Sequence, residues 1–244
     1  MKKPLSTLTL IIIVAFALWQ YWQDHKSPSK PPKSAVQNEK VLPSQSKNST
    51  KTDRTLTADY DVSLAEDNIG QNRNAPVDYY MLALSWSPAF CQEQFDKFGG
   101  DLPSSAQYQC ATKRQFGWVV HGLWPQNAHA KDVADHPRFC QGDLPPVPQN
   151  VLDKYLAMSP GEKLLQGEWE KHGACAFNSA ESYFSKMQQL YQSLNLPPEN
   201  PNKKALFRWM KDNNPELRNL FLGASRTELY ICYDLKFNPI DCPR

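Results

Sequence analysis

Residues 228–237 read ELYICYDLKF, a run of strand-forming residues close to the end of a 244-residue chain. Far upstream, VDYYMLALSW at 77–86 alternates in part and is rich in the same residue types, and FGWVVH at 116–121 reads as a further strand. Between the second and last of these runs, the periodicity predicts helices over 148–157, 160–173, 179–194 and 202–213, the third behind a capping-box pattern from Asn178 to Glu181. The late strand must come back past those helices to find partners, so the sheet joins distant segments. The expected fold is α+β, an antiparallel central sheet packed with helices.

Composition divides the rest of the chain. Lys2 and Lys3 precede an apolar run from Leu5 to Trp19, with Tyr21 and Trp22 just beyond, and a positive head before an apolar run is an export signal. The run is near the lower limit for spanning a bilayer and no small-x-small cleavage pattern follows it. Aromatic residues favour the membrane interface, so residues 1–23 read as a signal anchor with its N-terminus inside, a cleaved signal peptide being the alternative. The remainder is then expected at the periplasmic face of an inner membrane, or secreted.

Residues 24–75 carry eight Lys or Arg, seven Asp or Glu and one aromatic, Tyr60, among Ser, Pro, Gln, Asn and Thr. Such a stretch cannot bury enough apolar surface to offset its ordering entropy and is expected to be a disordered tether. Its lysines at 26, 30, 33, 40, 47 and 51 read as a solvated linker rather than as a lipid- or RNA-binding patch. Residues 76–244 hold all six Cys, four of five His and five of seven Trp, with 17 Lys or Arg against 18 Asp or Glu, a formal net charge of -1. The chain's total of +2 therefore belongs to the N-terminal part. This balance excludes a basic nucleic-acid coat protein and a polytopic membrane protein, and it leaves a nucleic-acid enzyme that grips its substrate locally.

Two segments concentrate chemistry: VHGLWPQ at 120–126 and EWEKHGAC at 168–175. A helix through the second puts Glu168 and His172 on one face at i and i+4, with Lys171 at i+3. In the first, His121 ends a strand before Gly122, where a turn presents the ring to a cleft. Two imidazoles, a Lys and a carboxylate suit phosphodiester cleavage in which the substrate supplies the nucleophile. One His takes the ribose 2′-hydroxyl proton, the other protonates the departing 5′-oxygen, and the cation stabilises charge on the phosphoryl oxygens. Imidazole fits because its ordinary pKa lets one ring be neutral and the other charged near neutral pH. DNA lacks the 2′-hydroxyl and would be inert.

HGLWP and EWEKHGAC resemble the two active-site segments of the T2 ribonuclease family, and with the Cys pattern the likeness covers nearly all of residues 76–244. The resemblance implies a disulfide-stabilised T2 ribonuclease-like fold and an endoribonuclease of low base specificity, acting on single-stranded RNA through a 2′,3′-cyclic phosphate with no metal or other cofactor. It implies His121 as general acid, His172 as general base, Glu168 and Lys171 as supports of the pentacoordinate transition state, and Trp124 as a residue that holds a base or phosphate. It also implies the disulfides Cys140–Cys175 and Cys232–Cys242, leaving Cys91 with Cys110. Two positions depart from the family pattern. Gly167 stands where some members have a phosphate-contacting His, and Gln126 stands where some have a base-reading Asp, so Gln126 is the candidate at the base site.

Several plainer readings compete. Each His alone is more ordinarily structural, and Glu168 with Lys171 could be a surface ion pair worth a few tenths of a kcal/mol. Trp118 and Trp169 read as packing residues, and His129 and His136, in the polar loop AHAKDVADHP, as solvent-facing. A zinc site from His121, Cys140, His172 and Cys175 matches no common ligand spacing, and exported thiols oxidise. A catalytically weak RNA-binding module of the same fold is opposed by all four catalytic positions being filled. RNA is the implied partner, with the membrane through the N-terminal segment, and no stable protein partner is inferred.

Overall fold

A computed structural model describes residues 62–243 of the protein. The apolar run at 5–19 and most of the tether lie outside the described residues. Among those described, no helix is long and apolar enough to cross a membrane.

The sheet is built from β1 (Tyr79–Trp86), β2 (Trp118–Gln126), β3 (Gly223–Ala224), β4 (Glu228–Tyr233) and β5 (Pro239–Ile240). Its order is β2-β1-β4-β3, with β5 also on β4, and every pairing is antiparallel. β1 therefore lies between β2 and a strand more than a hundred residues away, the long-range pairing expected of an α+β fold. The helices are α1 (Ser87–Phe98), α2 (Ser104–Cys110), a single turn α3 (Gln149–Leu152), α4 (Glu162–Lys171), α5 (Ala180–Gln192) and α6 (Lys203–Asn213). α1 and α2 interrupt the chain between β1 and β2, where no helix was expected; Pro88 stands in the first turn of α1 and Gly99, in the left-handed region, ends it. α5 is capped by Ser179, whose hydroxyl accepts from the Ser182 amide, one residue later than the capping-box pattern placed it.

The alternation of β1 and β4 sorts the sheet into two faces. Leu82, Leu84, Leu229 and Ile231 are fully buried and pack with Tyr183, Phe184 and Met187 of α5 in the main core. Those three, with Leu190, follow the helical repeat, so one face of α5 covers the sheet. Ser85, Glu228 and Tyr230 lie on the other face through the registers Ser85↔Glu228 and Ala83↔Tyr230.

β2 is an edge strand, and its outer backbone groups are taken up by the surrounding structure. Tyr191 donates its hydroxyl to the Trp118 carbonyl, the Val120 amide donates to Met158, and the Leu123 amide donates to the Tyr183 hydroxyl. These side-on bonds switch from even to odd positions between 120 and 123, because the register with β1 slips at that point: Leu84 faces Val120, Ala83 faces Gly122, and His121 is the extra residue. β2 thus runs straight through the HGLWP motif with a bulge at His121, in place of the expected strand end and turn at Gly122.

Three disulfides, Cys91–Cys110, Cys140–Cys175 and Cys232–Cys242, take up all six cysteines. They link α1 to α2, the loop after β2 to the end of α4, and β4 to the C-terminal segment. The zinc reading fails here, since Cys140 and Cys175 are bonded to each other.

Residues 62–75, which composition assigned to the tether over 24–75, are among the described residues. Residues 62–75 lie along the folded body: Asn72 and Arg138 exchange backbone hydrogen bonds, the Leu64 amide donates to Asp143, and Gln71 donates its side-chain amide to the Phe139 carbonyl. This segment is ordered by polar contacts rather than by apolar burial, which is why a composition argument misses it.

Candidate active site

The bulge at His121 decides the geometry. On a regular strand, residues three apart point to opposite faces; the extra residue lets His121 and Trp124 point to the same one. Their rings meet edge to face with centroids 5.2 Å apart, and the Trp124 ring centroid also lies 5.6 Å from that of His172. Trp124 therefore contacts both imidazoles. Its Nε1 donates to Glu168 Oε2 at 2.7 Å, while Glu168 Oε1 is 3.6 Å from His121 Nε2.

Gly122 makes this approach possible. A Cβ there would coincide with the Glu168 carboxylate and crowd the Trp124 indole nitrogen, so the glycine is required for space and not for a turn. α4 delivers Glu168 and Lys171 from its last turn, and His172 follows as the residue that ends the helix, its amide still bonded to the Glu168 carbonyl. The Phe139 amide closes the Lys171 carbonyl, and Cys140–Cys175 ties that loop to the segment after His172.

The sequence reading missed Glu228. Its Oε1 sits 2.7 Å from His121 Nδ1, and it also accepts hydrogen bonds from Ser85 Oγ at 3.1 Å and Tyr230 Oη at 2.6 Å. With Nδ1 so engaged, His121 aims Nε2 toward Glu168 and the open side of the site. The signal available in sequence was weak: Glu228 opens a strand whose alternate residues 228 and 230 are less apolar than 229 and 231.

The two histidines are biased in opposite directions. Desolvation alone would lower the His121 pKa, but the Glu228 hydrogen bond and the charges of Glu168 and Glu228 outweigh it and hold the pKa above the ordinary histidine value. His172 is pushed well below that value by burial first, then by the cationic charges of Arg138, Lys171 and His121. Its Nδ1 is buried without a hydrogen-bond partner among the described residues, so an imidazolium would leave a charged N–H unsatisfied. Burial also raises the Glu168 pKa, against the pull of His121, Trp124 and Lys171. The arrangement offers an imidazole biased toward protonation and one biased toward the neutral form, both against Trp124, with the Lys171 cation next to His172 in the chain: groups suited to act as acid, base and charge stabiliser.

Lys171 is engaged by Asp67, from the segment composition assigned to the tether, at 2.8 Å. Gln126 is buried and donates its amide to the Pro125 carbonyl, so its side chain is not presented to a base. His136 is half-buried, its Nδ1 accepting from the Asn127 amide, and only His129 of that loop is exposed as expected. Trp118 and Trp169 are core residues.

A family model described as Ribonuclease T2 family matches residues 77–200, which include both histidine segments. The chain belongs to the ribonuclease T2 family. This T2 ribonuclease is 51% identical over 269 residues to a probable ribonuclease of Haemophilus influenzae, spanning 99% of each chain. It is 28% identical over 144 residues to Ribonuclease I of Escherichia coli, covering 48% of this chain and 54% of that one. Its fold is similar to that of the RNase-related protein from Calystegia sepium (TM-score 0.53, 20% identity, 70% of this chain and 93% of that one). It is likewise similar to RNase NT, solved with 5′-AMP (TM-score 0.50, 18% identity, 69% and 92%). Membership makes the protein an RNA-cleaving enzyme with an α+β, disulfide-stabilised T2 fold.

Proposed function

We propose that the protein is an endoribonuclease that cleaves single-stranded RNA with little base preference by internal transphosphorylation. His172 accepts the proton of a ribose 2′-hydroxyl, the 2′-oxygen forms a bond to phosphorus, the bond from phosphorus to the 5′-oxygen breaks, and His121 gives its proton to that oxygen. The products are a 2′,3′-cyclic phosphate and a free 5′-hydroxyl. Lys171 and Glu168 support the charge and protons of the five-coordinate phosphorus, and Trp124 fixes Glu168 and packs against both rings.

The observation that carries this reading is the opposite protonation bias of two histidines whose rings both contact one indole. An acid and a base with pKa values driven apart are what a concerted proton relay needs. Both transfers use side chains, so the reading requires no metal. Low base preference fits Gln126 being buried, with its amide bonded to the Pro125 carbonyl. The apolar run at 5–19 and three disulfides support export to an oxidising compartment, with the protein held at the periplasmic face of the inner membrane or secreted.

The test is to incubate the purified protein with defined single-stranded RNA and with DNA in EDTA and to identify product ends by mass. Cyclic phosphate ends from RNA and intact DNA are expected. Ends carrying a 5′-phosphate, or activity abolished by the chelator, would overturn the mechanism.

A further inference from the structure

Asp67 occupies an unusual position for a residue in a polar leader segment. Its Oδ2 lies 2.8 Å from Lys171 Nζ, and Arg138 Nη2 reaches both carboxylate oxygens at 2.8 and 3.0 Å. The amides of Ile69 and Gly70 add two further hydrogen bonds to Oδ1. The Arg138 side chain is 5% exposed, that of Asp67 12% and that of Lys171 28%. Burial would raise the Asp67 pKa, but Lys171, the two amides and Arg138 together hold it far below the carboxylate range.

The cations belong to the folded body and the anion to residues 62–75, which lie along it as a strap. Lys171 ends α4 beside His172, and Arg138 precedes Phe139, whose amide closes the Lys171 carbonyl. The strap is fixed on both sides of Asp67, by Leu64 on Asp143 and by Asn72 on Arg138. Ahead of Asp67, Val62 rests on α4 at Gly167, where an added Cβ would be 3.3 Å from Val62 Cγ2, tighter than an ordinary contact. The chain thus lays one carboxylate across a guanidinium and an ammonium that adjoin a catalytic base.

Two adjacent cations with several N–H donors match a phosphodiester or phosphate group as well as they match a carboxylate. The rest of the domain carries no net positive charge to draw RNA in, so a local cationic pair has particular weight. We infer that Arg138 and Lys171 form a phosphate-binding subsite of the active site, and that Asp67 fills it as an internal competitor which the RNA backbone must displace. The inference rests on the ribonuclease reading for the identity of the displacing anion. Arg138 is then a substrate-binding residue, and residues 62–72 set how strongly RNA is bound.

The test uses the full chain as wild type, Asp67→Asn, Asp67→Ala and the double variant Asp67→Asn with Arg138→Gln. Inorganic phosphate is the probe, measured by direct titration without substrate and as an inhibitor of RNA cleavage. Removing the competing charge is expected to tighten phosphate binding and to lower the KM for RNA, each by about tenfold, with the gain lost in the double variant. The Asn variant keeps the shape of the side chain, so it reports even if the Ala variant folds poorly. Unchanged or weaker phosphate binding in a folded Asp67→Asn protein would overturn the inference and leave Asp67 a fixed support for Lys171. Direct titration separates the two readings: a wild type that does not cut RNA while Asp67→Asn still gains phosphate affinity refutes the enzyme mechanism and not the subsite.

Discussion

Replacing Glu228 by Gln removes one charge and keeps the volume. In the proposed mechanism His121 is the proton donor, so its protonated form is the active one, and a raised pKa carries that form to higher pH. Without the carboxylate charge the pKa falls, and the basic limb of the kcat/KM profile moves to lower pH. The acidic limb, set by His172 having to be neutral, stays in place. A hydrogen bond to a charged group contributes about 1.5–3 kcal/mol. The His121 side chain is 36% exposed, so solvent screens part of this and the lower end applies. At about 1.4 kcal/mol per tenfold, the variant should lose roughly tenfold in kcat/KM on the basic side and much less on the acidic side. The assay is kcat/KM on a short fluorogenic RNA at constant ionic strength across the whole profile, with Glu228→Asp as the variant that keeps the charge and restores much of the limb. An equal loss at every pH would refute the reasoning, because a residue that only holds the fold scales the profile without moving it.

His121→Ala and His172→Ala should each lower RNA cleavage by at least about 100-fold, the scale for losing one acid or base, and near-normal turnover by either would remove that residue from the mechanism. Trp124→Phe keeps an aromatic ring at this position but loses the donor to Glu168 at 2.7 Å; the Glu168 pKa then rises further and kcat falls, whereas a rise confined to KM would make Trp124 a base-holding residue instead. Gly122→Ala places a methyl group where the Glu168 carboxylate lies, and overpacking of this kind costs about 1–3 kcal/mol. Cleavage should fall at least about tenfold through displacement of Glu168, and an active Gly122→Ala enzyme would show that the carboxylate need not sit there.

Much of this site was legible because its residues are close in sequence. Glu168, Lys171 and His172 follow from helical spacing alone, and His121 with Trp124 stands in one seven-residue stretch. The way those two share a face was not legible, since period-2 alternation sets residues three apart on opposite sides and the bulge that reverses this has no sequence marker. Gly122 looked like a turn residue; its reason is a carboxylate arriving from a helix some 46 residues later. Glu228 depends on the register between β1 and β4, a tertiary fact that places it against Ser85 and so within reach of His121. Asp67 was hidden for a different reason: a polar segment was read as unable to order itself, although a few buried ion pairs and backbone bonds to the 134–143 loop suffice.

Charge balance joins these missed residues to the mechanism. The ion pairs at the two histidine segments join three carboxylates, Asp67, Glu168 and Glu228, to three cations when His121 is protonated, the others being Lys171 and Arg138. With all six ionised these charges cancel, and a bound phosphodiester adds a negative charge in a partly desolvated place. One carboxylate must then take a proton or move away. Glu168, whose pKa is raised by burial, can take a proton. Glu228 is kept ionised, as its hydrogen bonds from His121 and Tyr230 outweigh its desolvation, and it is fixed in a strand. Asp67 is the least able of the three to protonate, and it lies in the irregular segment after the short helical turn Leu64–Glu66, outside the sheet and α4. Relief of the added charge therefore falls on Glu168 by protonation and on Asp67 by displacement, and the second route frees the two cations that the phosphate needs.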